Sequence, residues 1–456
     1  MPYNESCKGW SSKGDCSFIF PEATHFNGIY ATQLLIHFVV LGCENQGRSY
    51  DASAFRESEK HLRRLIKMTT VRLDTAVRNP YLPTPGLVLD FESISQTYDR
   101  FLDCFPTGEV FYAMKANSNI DVIELVVEKN GGLEIASLHE LQRSLQAGAS
   151  GSQIICSNPI KNPLFLTKMH EAGVYAVVVD STYEVEKVAQ YMPGCRVYVR
   201  LAVDNTGSVL PLAGKFGVSG DEALVLFDMA RDLGLEPIGL SFHVGSQCLN
   251  VQNWVNAIKA CGDIWRQASD RGYDLHFLDI GGGFPAGHYH DPSIPTIEEI
   301  GNEVIRAVRR YIPHHNPMLV LEPGRGLTGE SGRLVSTVEG KAVRGGDEWL
   351  YMDVGVFNGL METFEGFPPV VHLLADDADT RPMHRYTLAG PSCDSCDVVA
   401  RQIELPEVRI GDRLVFLDTG AYTNEYAVNF NGFPIPQVVK LERFTETDEM
   451  QVLEIA

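Results

Sequence analysis

The sequence predicts an α/β protein in which a (β/α)₈ barrel is followed by a second, mostly β domain. Eight apolar, β-prone runs alternate with helix-like segments over roughly 210 residues, which is the pattern of such a barrel. After about residue 330 the pattern changes to short β-like runs between Gly and Pro turns, which indicates a β-sandwich or β-barrel-like domain. The eight runs lie at 110–115, 133–137, 154–158, 176–180, 196–203, 239–244, 277–281 and 318–322. Helical patterns lie between them at Ile120–Glu128, Leu138–Ala147, Leu164–Glu171, Glu222–Leu233 and Val251–Ser269.

The length of 456 residues is too great for one ordinary hydrophobic core, so we expect two domains and an appendage. The appendage, 1–70, has no assigned role. Its apolar stretch at 29–43 is too short to span a bilayer and is interpreted as a buried helix or strand, and an amphipathic helix is expected at 52–68. The other divisions are an approach strand at 71–94 that pairs with the C-terminal domain, the barrel at 95–328 and the β domain at 329–456.

The composition excludes several classes of partner. A net charge of −21 argues against nucleic acid and against an anionic membrane. Hydrophobic residues make up 44% and charged residues 21%, which is typical of a soluble globular protein. Ten cysteines without regular spacing predict reduced thiols in the cytoplasm rather than a disulfide framework. We predict no metal site.

Lys115 is the first candidate for chemistry, because it ends the first predicted barrel strand in the run FYAMKAN. Active sites of this fold lie at the C-terminal ends of the strands. A lysine amine placed there is able to form a Schiff base with a carbonyl cofactor. Taken alone, a surface lysine after an edge strand would be the better interpretation. The residues at the other strand ends favour the interpretation of Lys115 as a functional lysine.

Those residues have the chemistry to hold a phosphorylated aromatic aldehyde. The loop DIGGGFP brings bare backbone amides close to a phosphate, and Arg325 is suited to clamp one. His243 is suited to stack on a planar ring, while Glu322 points into the barrel mouth and is suited to pair with a ring nitrogen. We therefore predict pyridoxal 5′-phosphate as the cofactor. The polar residues at strand ends are Lys115, Glu134, Ser137, Asn158, Arg200, His243, Ser246, Gly281, Gly282, Gly283, Glu322 and Arg325.

At this point the chain resembles a known family. The segments FYAMKAN, EIASLHEL, SNPIK, FHVGSQ, DIGGGFPA, LEPGR, AGPSCDSCD and GAYTNEYAVNFNGFP occur in the order seen in the ornithine/lysine/diaminopimelate decarboxylases, pyridoxal-phosphate enzymes with an alanine-racemase-type barrel. The resemblance runs from about Thr84 to Phe433 and is strongest to the bacterial-type lysine/ornithine decarboxylases.

The resemblance implies roles for individual residues. Lys115 corresponds to the Schiff-base lysine, His243 to the ring-stacking histidine and Glu322 to the acid that keeps the pyridine nitrogen protonated. Further cofactor residues implied in the same way are Glu134, Glu140, Arg200, Ser246, Gly282, Gly283, Gly324, Arg325 and Tyr422.

Two further implications concern the subunits and the substrate. In this family Cys393 and Asp394 come from the second subunit, so we expect an obligate homodimer with shared sites. Cys393 would donate a proton, and Asp394 would meet the distal amine of the substrate. Glu365 is the remaining acid of the segment 359–368, which is shortened relative to the bacterial relatives and helps select that amine.

The expected activity is decarboxylation of a basic L-amino acid, either lysine, ornithine or a modified analogue. A diaminopimelate-type decarboxylase and an enzyme acting on an amino acid of specialised metabolism remain alternatives. A racemase shares barrel and cofactor, but the segments GPSCDSCD and FHVGSQ favour decarboxylation. A non-catalytic regulatory homologue is disfavoured by the presence of Lys115 and Cys393.

Overall fold

The computed structural model describes residues 72–314 and 316–441. The sequence predictions for 1–70, including the apolar stretch at 29–43 and the helix at 52–68, lie outside the described residues. The proposed domain bounds at 95–328 and 329–456 stay predictions. Within the described ranges, no helix combines the length and apolar character needed to cross a membrane.

Eight parallel strands close into a barrel, which confirms the predicted fold class. Neighbours in the barrel follow chain order, and the last strand pairs with the first. The barrel strands are β2 (Gly108–Ala113), β3 (Gly132–Glu134), β4 (Ile154–Cys156), β5 (Ala176–Val179), β6 (Arg196–Arg200), β8 (Glu236–Ser241), β10 (Phe277–Asp279) and β11 (Met318–Leu321). A two-stranded antiparallel ribbon of β7 (Ser208–Leu210) and β9 (Ser246–Cys248) accompanies the barrel.

Helices fill the connections, and several begin at a side chain that accepts a hydrogen bond from a backbone amide of the first turn. Asn119, Ser137 and Ser219 act in this way, and all three precede helices whose positions the sequence predicts. The helices are α1 (Phe91–Cys104), α2 (Ile120–Glu128), α3 (Leu138–Gln146), α4 (Pro163–Ala172), α5 (Thr182–Tyr191), α6 (Gly220–Asp232), α7 (Gln252–Asp270), α8 (Ile297–Tyr311), α9 (Arg325–Thr328) and α10 (Met361–Phe364), with a further short helix at 72–76.

The barrel interior is packed with side chains, so the site has to lie at its mouth. Successive strand residues face opposite sides, and in β2 Phe111 points inward while Val110 and Tyr112 join the outer core beneath the helices. The aromatic rings of Tyr198 and Phe277 meet inside the barrel with centroids 4.8 Å apart. The interior cluster consists of Phe111, Ile155, Ala176, Val178, Tyr198, Ile238, Phe277 and Val320.

The β domain is one mixed sheet of eight strands. Its long strand β12 (Gly332–Arg344) pairs with two strands through its first half and with a different strand through its second half. The approach strand β1 (Gly86–Asp90) belongs to this sheet, antiparallel to β12 and parallel to the last strand. The other strands are β13 (Asp347–Met352), β14 (Val371–Leu374), β15 (Met383–Ala389), β16 (Val398–Pro406), β17 (Arg413–Leu417) and β18 (Gln437–Leu441).

The barrel strands end earlier than the apolar runs predict, so several candidate residues lie beyond the strands, Lys115 and His243 among them. The pairing of β2 with β3 ends at Ala113 opposite Glu134, so Lys115 lies on a 3₁₀ turn (Met114–Ala116) rather than at the strand tip. Likewise β8 ends at Ser241, and His243 lies in the following loop. The apolar runs continue past the point where the neighbouring strand stops supplying hydrogen bonds, so the predicted ends were wrong by one to three residues.

Candidate active site

Lys115 lies at the mouth of the barrel, where its amine donates a 2.7 Å hydrogen bond to Oε2 of the buried Glu134. Glu134 is fixed in turn by the backbone amide of Ser157, which donates to its other carboxylate oxygen over 3.3 Å. Burial alone would lower the pKa of the lysine, but the carboxylates of Glu134 and Glu322 outweigh it and raise the pKa. The amine is therefore held as a cation beside two acids.

Glu322 lies beyond the end of β11 and is buried, with only 4% of its surface exposed. The hydroxyl of Ser157 donates to its Oε1, and the same hydroxyl lies 2.7 Å from the hydroxyl of Tyr198. Burial and the neighbouring Glu134 raise the pKa of Glu322 to about 7, against the lowering effect of Lys115. A buried carboxylate of this kind is stabilised by a cationic partner, such as a protonated ring nitrogen.

Asp279 is the last residue of β10, the strand next to β11, and supports this carboxylate from there. Its Oδ1 accepts the backbone amide of Gly281 over 2.8 Å, and its carboxyl group is buried against Glu322. Burial and the adjacent Glu322 raise the pKa of Asp279 well above its usual range. Two buried carboxyl groups in contact are stable when they share a proton, which leaves one negative charge between them.

His243 and Arg200 line a shallow depression at the barrel mouth. The Nδ1 atom of His243 accepts the backbone amide of Gly245 over 3.0 Å, which leaves the proton of the neutral ring on Nε2. Burial and the nearby cations of Arg200 and Lys115 lower the pKa of His243 well below its ordinary value. The ring is therefore neutral and its edge is fixed, which suits it to flat stacking.

Arg325 begins α9 and is buried, with 4% of its surface exposed. Its Nη2 atom donates to the hydroxyl of Ser246 over 3.2 Å, which brings together two predicted phosphate ligands. Both terminal nitrogens also donate to the carboxylate of Glu362, with 3.0 Å between Nη1 and Oε2. The guanidinium lies over the ring of Tyr422, 4.9 Å from its centroid.

The glycine residues give this part of the site its shape. Gly283 has a φ of +91°, and a Cβ atom there would lie 2.6 Å from the carbonyl oxygen of Gly245. A Cβ at Gly282 would lie 2.7 Å from the carbonyl oxygen of Glu322, and one at Gly324 would lie 2.9 Å from the Cβ of Ala116. These positions thus exclude side chains and keep backbone near the guanidinium and the lysine.

Glu140 and Tyr422 complete the group around Lys115. Glu140 lies in the first turn of α3 and accepts the backbone amide of Ala136, and burial raises its pKa to about 7. The backbone amide of Tyr422 donates to the carbonyl oxygen of Ala116 over 2.7 Å, which joins the C-terminal segment to the lysine turn. Burial raises the pKa of the tyrosine hydroxyl, while Lys115 and Arg325 oppose the increase.

Three predicted substrate or catalytic residues stand apart from this group. Cys393 and Asp394 are exposed on the loop between β15 and β16, and Glu365 is exposed after α10. In the described ranges 72–314 and 316–441, no hydrogen bond or ion pair joins any of the three to Lys115. The backbone amide of Cys393 instead donates to the side-chain oxygen of Asn431 over 3.0 Å. Within one chain the predicted constellation is therefore incomplete.

Sequence reasoning missed four residues of the site. Ser157 begins the recognised segment SNPIK but had no role assigned, and Tyr198 looks like any apolar strand residue. Asp279 was part of a recognised glycine motif but had no role assigned. Glu362 lies in the segment 359–368 singled out from the sequence, yet nothing in the sequence pairs it with an arginine 37 residues away.

The residues present fit pyridoxal 5′-phosphate. An amine for the aldehyde, a neutral imidazole, and a buried carboxylate for the ring nitrogen lie around one mouth. Arg325 also has a buried Nε atom without a hydrogen-bond partner among the described residues, next to glycine backbone that a Cβ would obstruct. This donor and the bare backbone are suited to a phosphate group. Fold and site together define a pyridoxal-phosphate enzyme built on a (β/α)₈ barrel.

Comparisons with known proteins agree. The sequence model of the pyridoxal-dependent decarboxylases, pyridoxal binding domain, matches residues 91–329. A lysine/ornithine decarboxylase from Selenomonas ruminantium is 32% identical over 409 residues, which cover 87% of this chain and 98% of that protein. Antizyme inhibitor 2 from Xenopus laevis is 32% identical over 362 residues, covering 76% and 78%. A solved arginine decarboxylase from Paramecium bursaria Chlorella virus, bound to agmatine, matches with a TM-score of 0.76 and 29% identity, covering 82% of this chain and 100% of that chain.

The chain belongs to the pyridoxal-dependent decarboxylase family. Its cofactor is pyridoxal 5′-phosphate, and its class of reaction is that of a carboxy-lyase. The predicted family, fold class and cofactor are thereby confirmed. The roles assigned to individual site residues stay predictions.

Proposed function

We propose that this protein removes the α-carboxylate of a basic L-amino acid, lysine, ornithine or a modified analogue, and releases the corresponding amine. The observation that carries the proposal is the position of Lys115 at the mouth of a barrel whose sequence matches the family. There it donates a hydrogen bond to Glu134 and interacts electrostatically with the buried Glu322. The relatives support the substrate class, since they are named lysine/ornithine and arginine decarboxylases.

The cofactor supplies the chemistry that the side chains lack, namely an electron sink for the pair left behind when CO₂ departs. Lys115 would bind it covalently, and Glu134 is placed to accept the proton that the lysine must lose. The shared charge of Glu322 and Asp279 would favour a proton on the ring nitrogen. His243, neutral and fixed at Nδ1, would give the ring a flat contact. Each of these residues acts by holding a charge or an orientation.

The phosphate is held at a separate group of donors. Arg325 and Ser246 already contact one another, and Gly282, Gly283 and Gly324 leave the backbone bare beside them. Tyr422 packs against the guanidinium through its ring. Glu140 interacts electrostatically with Lys115, and Arg200 with His243 and Glu322, and we assign both residues to cofactor and substrate orientation.

A homodimer with shared sites accounts for the position of Cys393 and Asp394. Their loop contacts Asn431, which lies in the segment 422–435 that begins at Tyr422 in the site. Exposed apolar side chains cluster in and beside this segment, and such a surface is typical of an interface with a second copy. They are Phe364, Tyr426, Val428, Phe430 and Ile435.

In that dimer, Cys393 donates a proton to the α-carbon after CO₂ has left, and Asp394 binds the distal amine. Both are fixed by their loop rather than free to swing. The buried Asp397 accepts the backbone amides of Val356 and Ser392, and the Asp394 carboxylate accepts the amide of Cys396. A carboxylate at this position favours a cationic side chain over the carboxylate-bearing end of diaminopimelate.

A modified basic amino acid is a second candidate for the substrate, and one observation favours it. The segment 359–368 carries two acids, but Glu362 is bound to Arg325, so only Glu365 remains to meet a distal amine. Gly366 follows it with a φ of +95° and no side chain. A distal group with fewer hydrogen-bond donors than a free ammonium suits such a segment.

The seven cysteines in the described residues that form no disulfide support the cytoplasm as the location.

The test is a panel of L-amino acids assayed with the cofactor-loaded protein for both CO₂ and amine. Lysine, ornithine, arginine, meso-diaminopimelate and N-methylated lysines form the panel, and Lys115→Ala protein is the control for background. CO₂ and amine in equal amounts from a basic member support the proposal. Activity on diaminopimelate alone, or racemisation without CO₂, would contradict it.

A further inference from the structure

Arg325, the arginine assigned to the cofactor phosphate, is already held by a carboxylate of its own chain. Glu362 on α10 accepts from both terminal nitrogens of the guanidinium, and the pair is buried, with 4% of the arginine side chain and 15% of the glutamate side chain exposed. Two parallel bonds of this kind are the strongest geometry for an arginine and an acid. Among the described residues, the guanidinium has one further hydrogen-bond partner, the hydroxyl of Ser246.

The same segment holds the guanidinium on a second side. The ring of Phe367 lies 4.4 Å from the guanidinium carbon, and the backbone amide of Phe367 donates to the carbonyl oxygen of Glu362 over 3.0 Å. Thus the ion pair and the ring contact come from one compact turn. That turn belongs to the segment 359–368, which also carries Glu365.

The negative charge of Glu362 opposes binding of the cofactor phosphate at Arg325. The buried ion pair of Arg325 and Glu362 is neutral overall. A phosphate dianion brought to the arginine meets the Glu362 carboxylate at close range, and like charges at such distances in a protein repel strongly. Either the carboxylate leaves the guanidinium, or the phosphate uses only the remaining donors of the arginine.

We propose that Glu362 sets the affinity of the site for the phosphate of its cofactor, by competing with that phosphate for Arg325. The proposal rests on the assignment of Arg325 to the phosphate in the proposed function. Phosphate binding then displaces Glu362 and loosens the turn that carries Glu365. Binding of the cofactor and the conformation of the segment 359–368 are therefore coupled through the carboxylate of Glu362.

A different role for Glu362 makes the reverse prediction. If the carboxylate only orients Arg325 toward the phosphate, then removing its charge leaves the arginine misplaced and weakens cofactor binding. Competition predicts tighter binding instead. The sign of the effect therefore separates a competing residue from a positioning residue.

The experiment compares pyridoxal 5′-phosphate with pyridoxal, which lacks the phosphate, by titrating cofactor-free protein and following the absorbance of the lysine-bound form. We expect Glu362→Gln to bind pyridoxal 5′-phosphate about tenfold more tightly, because a repelling charge is removed at close range. Binding of pyridoxal should be unchanged. Glu365→Gln is the matched control, since it removes one charge from the same turn without contact to Arg325, and its cofactor affinity should equal that of the wild type.

The variant Arg325→Ala tests separately whether Arg325 binds the cofactor phosphate, which the inference about Glu362 assumes. Loss of the preference for the phosphate form in Arg325→Ala, together with tighter phosphate binding in Glu362→Gln, supports the competition. The same loss with unchanged or weaker binding in Glu362→Gln overturns the role of Glu362 alone. An unchanged preference in Arg325→Ala overturns both.

If Glu362→Gln fails to fold, Glu362→Asp takes its place, since it retains the charge but shortens its reach. This variant should also bind the phosphate form more tightly, and a weaker or unchanged affinity contradicts the competition.

Discussion

The amine of Lys115 and the carboxylate of Glu134 lie 2.7 Å apart at the mouth of the barrel. The strand pairing of β2 with β3 ends at Ala113 and Glu134, so Glu134 at the end of β3 lies beside Lys115 on the turn that follows β2. A lysine in this position is cationic until Glu134 takes its proton. The amine in this ion pair is protonated, and it becomes nucleophilic when its proton passes along the hydrogen bond to Glu134.

Replacing Lys115 by alanine should abolish covalent attachment of the cofactor. The purified wild-type protein should be yellow, and the visible absorbance of the lysine-bound cofactor should disappear in Lys115→Ala, because no other lysine of the described residues is ion-paired with Glu134. Lys129→Ala, which removes a surface lysine paired with Asp99, should keep the absorbance. An undiminished visible band in Lys115→Ala would show that another lysine binds the cofactor.

Replacing Glu322 by glutamine should slow decarboxylation while the cofactor stays bound. A neutral amide no longer favours a protonated ring nitrogen, and each 1.36 kcal/mol added to the barrier slows the reaction roughly tenfold. We expect kcat to fall by about a hundredfold or more. The exposed Glu339→Gln serves as the control. Turnover at the wild-type rate in Glu322→Gln would remove the ring-nitrogen role from this residue.

Glu140 should make the cofactor-free protein less stable as the pH rises. Burial raises its pKa from 4.5 to about 7, so between these values the folded protein binds more protons than the unfolded chain. The free energy of unfolding therefore falls with rising pH in that window, by at most about 3 kcal/mol. Glu140→Gln should raise Tm more at pH 8 than at pH 6. An equal or lower Tm than wild type at pH 8 would contradict this sign.

The cysteines of the exposed loop should differ in function although they lie only three residues apart. Cys393→Ala should lower kcat by about a hundredfold, the range expected for loss of a positioned proton donor, with cofactor binding intact. Cys396→Ala should lose much less activity, because its thiol contacts only the Asp394 carboxylate, which the backbone amide of the same residue continues to hold. Equal losses in both variants would indicate a structural effect of the loop rather than a proton donor.

The barrel was predictable because its signal is local and repeated. Each of the eight runs became a strand, and the helix at Ile120–Glu128 has the predicted bounds. Strand ends were less predictable, since they depend on where the neighbouring strand stops. For this reason Lys115 was placed correctly at the mouth but on the wrong element, a strand tip instead of a 3₁₀ turn.

The site was predictable where a motif carries the residue and unpredictable where only packing does. Lys115, Glu322 and Arg325 stand in recognisable segments. Ser157 begins the recognised segment SNPIK, but its link between Glu322 and Tyr198 through a single hydroxyl depends on packing that the segment does not encode. The contact of Glu362 with Arg325 depends on how the segment 359–368 folds over α9, which no pattern of residues encodes locally.

The most direct test of the account is whether two inactive chains restore one another. If Lys115 acts in one subunit together with Cys393 of the other, mixed Lys115→Ala and Cys393→Ala chains should regain activity. Half the molecules of a random mixture are heterodimers with one intact site in two, so about a quarter of the wild-type activity should return. Lys115→Ala mixed with Glu322→Ala should regain none, because both residues belong to one barrel. Recovery with the second pair and none with the first would contradict the account.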